Sequence, residues 1–364
     1  MRHFGRIIIF LLLAAGQLAS AKITEAECSF KDYSDRFVPP KDQGNAGFCY
    51  SFAASDLLSE AASVKPPDTV SAFHVASQYI SMSQDEVKSA NAAISFDNPA
   101  IPANISMGAM MGNALPGIST NYRFHDPSGK PLLKREGGQT DLIAAHLIEN
   151  GHVCLEREVP SELIGRNYKD SEQQNFFSIQ MGTLGGGHDV EKFFGDKPLY
   201  NKLQNSCVAN PPLDGLNQMV PLKEAIQDWA AQKLRTQSEN LCKHPVSTKG
   251  LTVHSRSFTS QEKNPNAIKY MMSVLDNDRP FALHYDLSIM MKWPPNISGW
   301  HSSIVTGRRW NKEKQTCELA IKNSWGENCD SEKEPGTCEK GRWWLDTDKL
   351  ADSKSEVIWI DKGK

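Results

Sequence analysis

The chain has no run of basic residues, no internal repeat or low-complexity tract, and beyond its extreme N-terminus no stretch apolar enough to cross a bilayer. Without a basic stripe there is no footprint for nucleic acid or for anionic lipid, and the 40 basic and 43 acidic residues leave a formal net charge of −3. His74, His125, His146, His152, His244 and His254 fall into no metal-ligand spacing, so no metal is expected. Gly185-Gly186-Gly187-His188-Asp189 lacks the lysine of a phosphate-cradling loop and reads as a plain loop. No cofactor is implied.

What is present begins with a leader. Arg2, His3 and Arg6 precede an apolar run over 7–15, and Leu18-Ala19-Ser20-Ala21 places small residues where a signal peptidase reads. Residues 1–21 are therefore expected to leave, giving a secreted or periplasmic chain from Lys22. Losing Arg2 and Arg6 moves the net charge to about −5. With 39% hydrophobic residues the remainder can build one large domain or two lobes.

Two blocks carry chemistry. The first is Gln43-Gly44-Asn45-Ala46-Gly47-Phe48-Cys49-Tyr50-Ser51-Phe52-Ala53; the second is Trp300-His301-Ser302-Ser303 followed by Ile321-Lys322-Asn323-Ser324-Trp325-Gly326. A thiolate can attack an acyl carbon, an imidazole can hold its proton and pass it to the leaving amine, and an asparagine amide can orient the imidazole. Gln43 and the N–H of Cys49 can stabilise the oxyanion. Residues 49–63 read as a helix with Ala53, Leu57 and Ala61 on one row headed by Cys49. At a helix N-terminus, near an imidazolium, Cys49 is expected to be ionised near neutral pH. A second helix is expected over 70–82, another over 139–150 closed by Gly151, and a strand over 281–285. His301 and Asn323 straddle a polar turn over 311–315, so runs 302–306 and 319–323 should pair antiparallel with Asn323 beside His301. A register shift of two keeps both on one face.

Together these blocks resemble the papain family of cysteine proteases, over about half the chain. Three departures stand out: Ala46 where the family has a cysteine, Phe48 for a small residue and Tyr50 for a tryptophan. The resemblance implies a two-lobe α+β fold over 22–364 with insertions at about 83–136 and 162–258. It also implies a cysteine peptidase with Cys49 as nucleophile, His301 as acid and base, Asn323 as orienter and Gln43 in the oxyanion hole. Gly47, Gly137, Gly138, Gln139, Thr140, Trp300, Ser302 and Trp325 are the implied substrate-side residues; bare glycines let a peptide backbone approach, and Trp325 shields the His301–Asn323 contact. Only 22–31 precedes the matched region, too short for the family's inhibitory propeptide, so the enzyme is expected either to be secreted active or to be controlled by an insertion, with 83–136 as a lid. The implied partners are a peptide or protein substrate and a protein inhibitor, acting on a monomer. Hydrolysis of peptidoglycan peptides, acyl transfer to an amine, and a silent peptide-binding homologue remain alternatives.

Eight cysteines in a secreted chain point to disulfides. With Cys49 reserved for chemistry, one of Cys28, Cys154, Cys207, Cys242, Cys317, Cys329 and Cys338 is left free or bonded elsewhere. Cys329 with Cys338, across a loop holding Pro335-Gly336, and Cys207 with Cys242 are the two pairs expected.

Overall fold

The computed structural model describes residues 23–43, 48–96, 138–161, 231–258, 265–286, 289, 300–327, 329, 337–351, 353 and 355–362. The leader, Gly47, Gly137, Cys207, the glycine run at 185–187 and most of both expected insertions lie outside them.

Helix α1 (Cys49–Ala61) starts directly after Phe48 and is buried on nearly every side. A helix so enclosed is a central pillar rather than a surface stripe. It packs against α2 (Ala72–Ile80), α4 (Thr140–Asn150) and strand β7 (Trp300–Asn311). The α2 start is set by Ser71, whose side chain accepts the His74 N–H at 2.9 Å. Gly151, in the left-handed region at φ 79°, ends α4.

Two segments expected within insertions belong to the core. Gln84–Ala93 is a helix, α3, opened by a capping box between Ser83 and Glu86 and packed on α4. The box is legible in the sequence as Ser-x-x-Glu, but Val87 and Ala90, its buried side, make too narrow a stripe to advertise a helix. Leu251–Phe258 forms strand β5, whose alternating burial shows one face on the core.

The main sheet runs β2 (Ser95–Phe96), β5, β11 (Ser355–Lys362), β6 (Phe281–Asp286), β7, β8 (Thr316–Lys322), β10 (Arg342–Asp346), β9 (Thr337–Glu339). All these pairings are antiparallel except β2 with β5, and β1 (Lys31–Asp32) adds to β7. That crossing needs Gly307, since a Cβ there would run into the Lys31 carbonyl oxygen. A separate antiparallel pair joins β3 (His152–Val153) to β4 (Val246–Ser247), and the described part is thus a mixed α+β structure with one large sheet.

Three disulfides join Cys28 to Cys317, Cys154 to Cys242 and Cys329 to Cys338. The last is the expected one. Cys242 does not pair with Cys207: a helical stretch at 231–241 lies along α2, with Ser238 bonded to Ser77 at 2.8 Å, and this delivers Cys242 to Cys154. Spacing along the chain could not reveal that contact. Among the described residues no helix is long and apolar enough to cross a membrane.

Candidate active site

The β7–β8 hairpin brings His301 and Asn323 together in a register other than the simplest one. Centring the turn midway would place Ile304 opposite Ala320; it lies opposite Lys322, displaced by two residues. The turn is centred later, at 312–315, and a bulge between Val305 and Gly307 absorbs one residue. An even shift preserves the face. His301 Nε2 and Asn323 Oδ1 lie 2.7 Å apart, both residues buried. Asn323 Oδ1 also accepts from the Ser324 N–H at 2.8 Å and the Ser303 hydroxyl at 3.4 Å, which fixes the amide so that oxygen faces the imidazole. His301 must then carry its proton on Nε2 and present Nδ1 as the base.

Two rings complete the imidazole's surroundings. Trp325 stands 5.0 Å from it centroid to centroid and Tyr285 lies edge-on at 5.7 Å. Trp325 is half-buried, the position of a shield over the His301–Asn323 bond.

Gln43 is tied to the same strand end. Its N–H donates to the Ser324 carbonyl at 2.8 Å, the Gly326 N–H donates to the Lys41 carbonyl at 3.0 Å, and Asp42 bridges Trp325. The Ser324 hydroxyl donates to Gln43 Oε1, so the nitrogen is the end of that amide fixed as donor elsewhere. Ser324 thereby joins the candidate set. In the sequence it is one letter of the Asn-Ser-Trp-Gly run, and only the fold shows which partner its hydroxyl takes.

Cys49 opens α1 and is the one free cysteine among the described residues. The backbone N–H of Ser302 faces its sulfur, which places the thiol against the strand residue next to His301. Burial nevertheless dominates: it pushes the Cys49 thiol up to about 11, against the smaller lowering effect of the Ser302, Tyr50 and Cys49 N–H groups. Burial likewise brings His301 down to about 4, with the Asn323 bond raising it and His284 lowering it further. Helix start and backbone donors are present as anticipated, but desolvation acts against the expected ionisation of Cys49 near neutral pH and favours a thiol beside a neutral imidazole.

The substrate-side residues separate into two groups. Trp300 is 38% exposed at the head of β7, and Gly138 and Gln139 are half-buried at the start of α4. The buried Gln139 Oε1 meets no donor among the described residues. Thr140 and Ser302 are fully buried, their hydroxyls 2.8 Å apart, with His284 Nε2 at 3.4 Å from Thr140 and its Nδ1 at 3.4 Å from Glu356. Gly138 has a packing reason for its identity: a Cβ there would sit 2.7 Å from the ring of Tyr50. Tyr50 itself is buried under Phe48 and Tyr79 at centroid distances of 6.0 and 4.7 Å. Gly47 and Gly137 are outside the described residues. No group of three or more His, Cys, Asp or Glu side chains suited to a metal occurs among the described residues.

No protein-family model matches the chain, and no curated protein matches it by sequence. Solved structures that it resembles include PepW from Lactobacillus rhamnosis HN001, at TM-score 0.41 and 13% identity, covering 97% of this chain and 87% of that one. Digestive procathepsin L 3 of Tenebrio molitor larval midgut gives TM-score 0.40 and 12% identity over 93% of this chain and 73% of that one. SERA5E from Plasmodium falciparum gives 0.39 and 11% over 91% and 94%. At scores this low the likeness carries no argument of its own, and the functional reading rests on the residues.

Proposed function

We propose that the chain is a secreted cysteine peptidase of papain-like two-lobe architecture, with Cys49 on a helical lobe, His301 and Asn323 on a β-rich lobe, and the substrate cleft between. The observation that supports it best is the buried His301 Nε2 to Asn323 Oδ1 contact at 2.7 Å, beside a strand residue whose N–H faces the Cys49 sulfur.

In this reading the peptide carbonyl settles between Cys49 and the Gln43 amide. His301 Nδ1 takes the thiol proton as the sulfur–carbon bond forms, and the carbonyl electrons move onto oxygen, held by the Cys49 N–H and Gln43. The carbon–nitrogen bond then breaks and the departing amine receives the proton from His301. Water attacks the thioester by the same route in reverse, its proton going to His301 and then to the Cys49 sulfur. Asn323 keeps the imidazole aimed and accepts the Nε2 proton's hydrogen bond throughout. On the substrate side, Trp300 offers an exposed ring, with Thr140 and Ser302 bracing the wall behind.

The test is to incubate the mature protein with a thiol-directed epoxide and with a diverse peptide library, then locate label and cleavages by mass spectrometry. Label on Cys49 together with peptide cleavage is expected, and Cys49→Ala should remove both while keeping the melting temperature. A folded Cys49→Ala protein that still cleaves peptides would overturn the proposal.

A further inference from the structure

Directly beneath the site lies a set of charges that the reaction does not use. Asp56 sits seven residues along α1 from Cys49, on the same side of the helix, and Lys322 immediately precedes Asn323 at the end of β8. The Lys322 Nζ and Asp56 Oδ2 are 2.6 Å apart, with side chains 8% and 9% exposed. Lys41, two residues before Gln43, pairs with Glu156 at 3.0 Å, and the Asp56 charge acts on Lys41 as well. Asp56, Lys322 and Lys41 line a small cavity together with Phe52, Ser303 and Asn323.

The placement is what matters. Asp56, Lys322 and Lys41 each lie on the element that carries a different member of the site, so the Asp56–Lys322 pair ties the Cys49 helix to the strand end holding Asn323, with Lys41 beside it on the segment holding Gln43. A buried ion pair is poor at stabilising a fold, because desolvation offsets the attraction, but it holds two elements at one distance and one angle. Apolar side chains of similar size would pack as well without fixing that alignment.

We infer that Asp56 and Lys322 are the positioning pair of this site, setting the distance between the helix that bears the nucleophile and the strand that bears the orienting asparagine. The inference rests on the peptidase reading, and deepens it by assigning residues that never touch substrate.

The test replaces both charges at once, with Asp56→Leu and Lys322→Met, since either change alone strands a buried charge. The melting temperature should hold or rise, while kcat falls about tenfold or more with KM within about twofold, because misalignment harms the transition state rather than binding. The epoxide should label Cys49 more slowly by a similar factor. Lys322→Arg, which can still reach the carboxylate, should keep most of kcat. A double variant with wild-type kcat, one that no longer melts cooperatively, or a Lys322→Arg enzyme as impaired as the double variant would overturn the inference. Failure of the wild-type protein to cleave or label would instead sink the peptidase reading, so the two are told apart.

Discussion

His301 and Asn323 meet across 2.7 Å although neither stands directly opposite the other in the hairpin that carries them. The contact is diagonal along one face of the sheet, and it depends on an amide oxygen already accepting the Ser324 N–H at 2.8 Å. Asn323→Ala should lower kcat by about 10²-fold through a loosened imidazole, with KM little changed. Asn323→Asp makes a sharper test. A carboxylate beside Nε2 favours the imidazolium and lifts His301 from about 4, so the acid limb of kcat/KM should move to higher pH. An unmoved limb in a folded Asp variant means that Asn323 is not the imidazole's partner during turnover.

Gln43→Ala should cost about 10² to 10³ in kcat, the scale for deleting one oxyanion donor. Ser324→Ala isolates the orientation of that donor. Its hydroxyl holds Gln43 Oε1, so losing it should reduce kcat by a smaller factor and leave substrate affinity alone. A loss confined to KM in both variants would mark Gln43 as a loop residue.

The site was far more legible than the fold around it. Cys49, His301, Asn323 and Gln43 sit inside short blocks whose chemistry is local, and alternation along a strand keeps His301 and Asn323 on one face under any even register shift. The three-dimensional partners were not legible. Cys154 meets Cys242 only because the helical stretch at 231–241 docks on α2. Strand β5 follows a long unmatched stretch and pairs with β11, more than ninety residues later in sequence. Asp56 is visible in the sequence as a charge within α1, but its partner Lys322 can be named only from the folded chain. The desolvation that opposes ionisation of Cys49 is hidden for a similar reason: helix starts are visible in sequence, and the depth of burial is not.

Acid should destabilise the protein in a window set by histidine. Burial holds His74 down to about 3 and His146 and His301 to about 4, against an ordinary value of 6.5. Between about pH 6.5 and 4 the unfolded chain binds these three protons and the folded one does not, so stability falls as pH falls. Below the folded values the loss levels off. Each shift corresponds to about 3 to 5 kcal/mol at full effect. Urea midpoints measured across this window should track the uptake of close to three protons, and His146→Gln should remove about one of them. A midpoint independent of pH from 6.5 to 4.5 contradicts the burial of all three.

The Cys154–Cys242 bond closes a loop of 88 residues and anchors the stretch at 231–241. Replacing both cysteines by alanine should cost about 2 to 4 kcal/mol in denaturant unfolding. Amide exchange should accelerate first at 231–241, with the main sheet protected. Uniform acceleration throughout would show that this bond supports the whole fold rather than one docked helix.

The charge state of Cys49 at rest decides how the proposed reaction starts. Desolvation moves the two partners in opposite directions, Cys49 up to about 11 and His301 down to about 4, which favours a thiol and a neutral imidazole at rest near neutral pH. The thiolate must then form during attack, with His301 as general base, and not before substrate arrives. Only the thiolate reacts with an alkylating agent. The iodoacetamide rate at Cys49 should accordingly be slow at neutral pH and climb about tenfold per pH unit toward 11, with no plateau between 5 and 9. Peptidase activity should still be full near neutrality, because a neutral imidazole is the form that accepts the proton. A high, flat alkylation rate from pH 5 upward would show that thiolate and imidazolium already exist in the free enzyme, and the neutral resting pair would have to be abandoned.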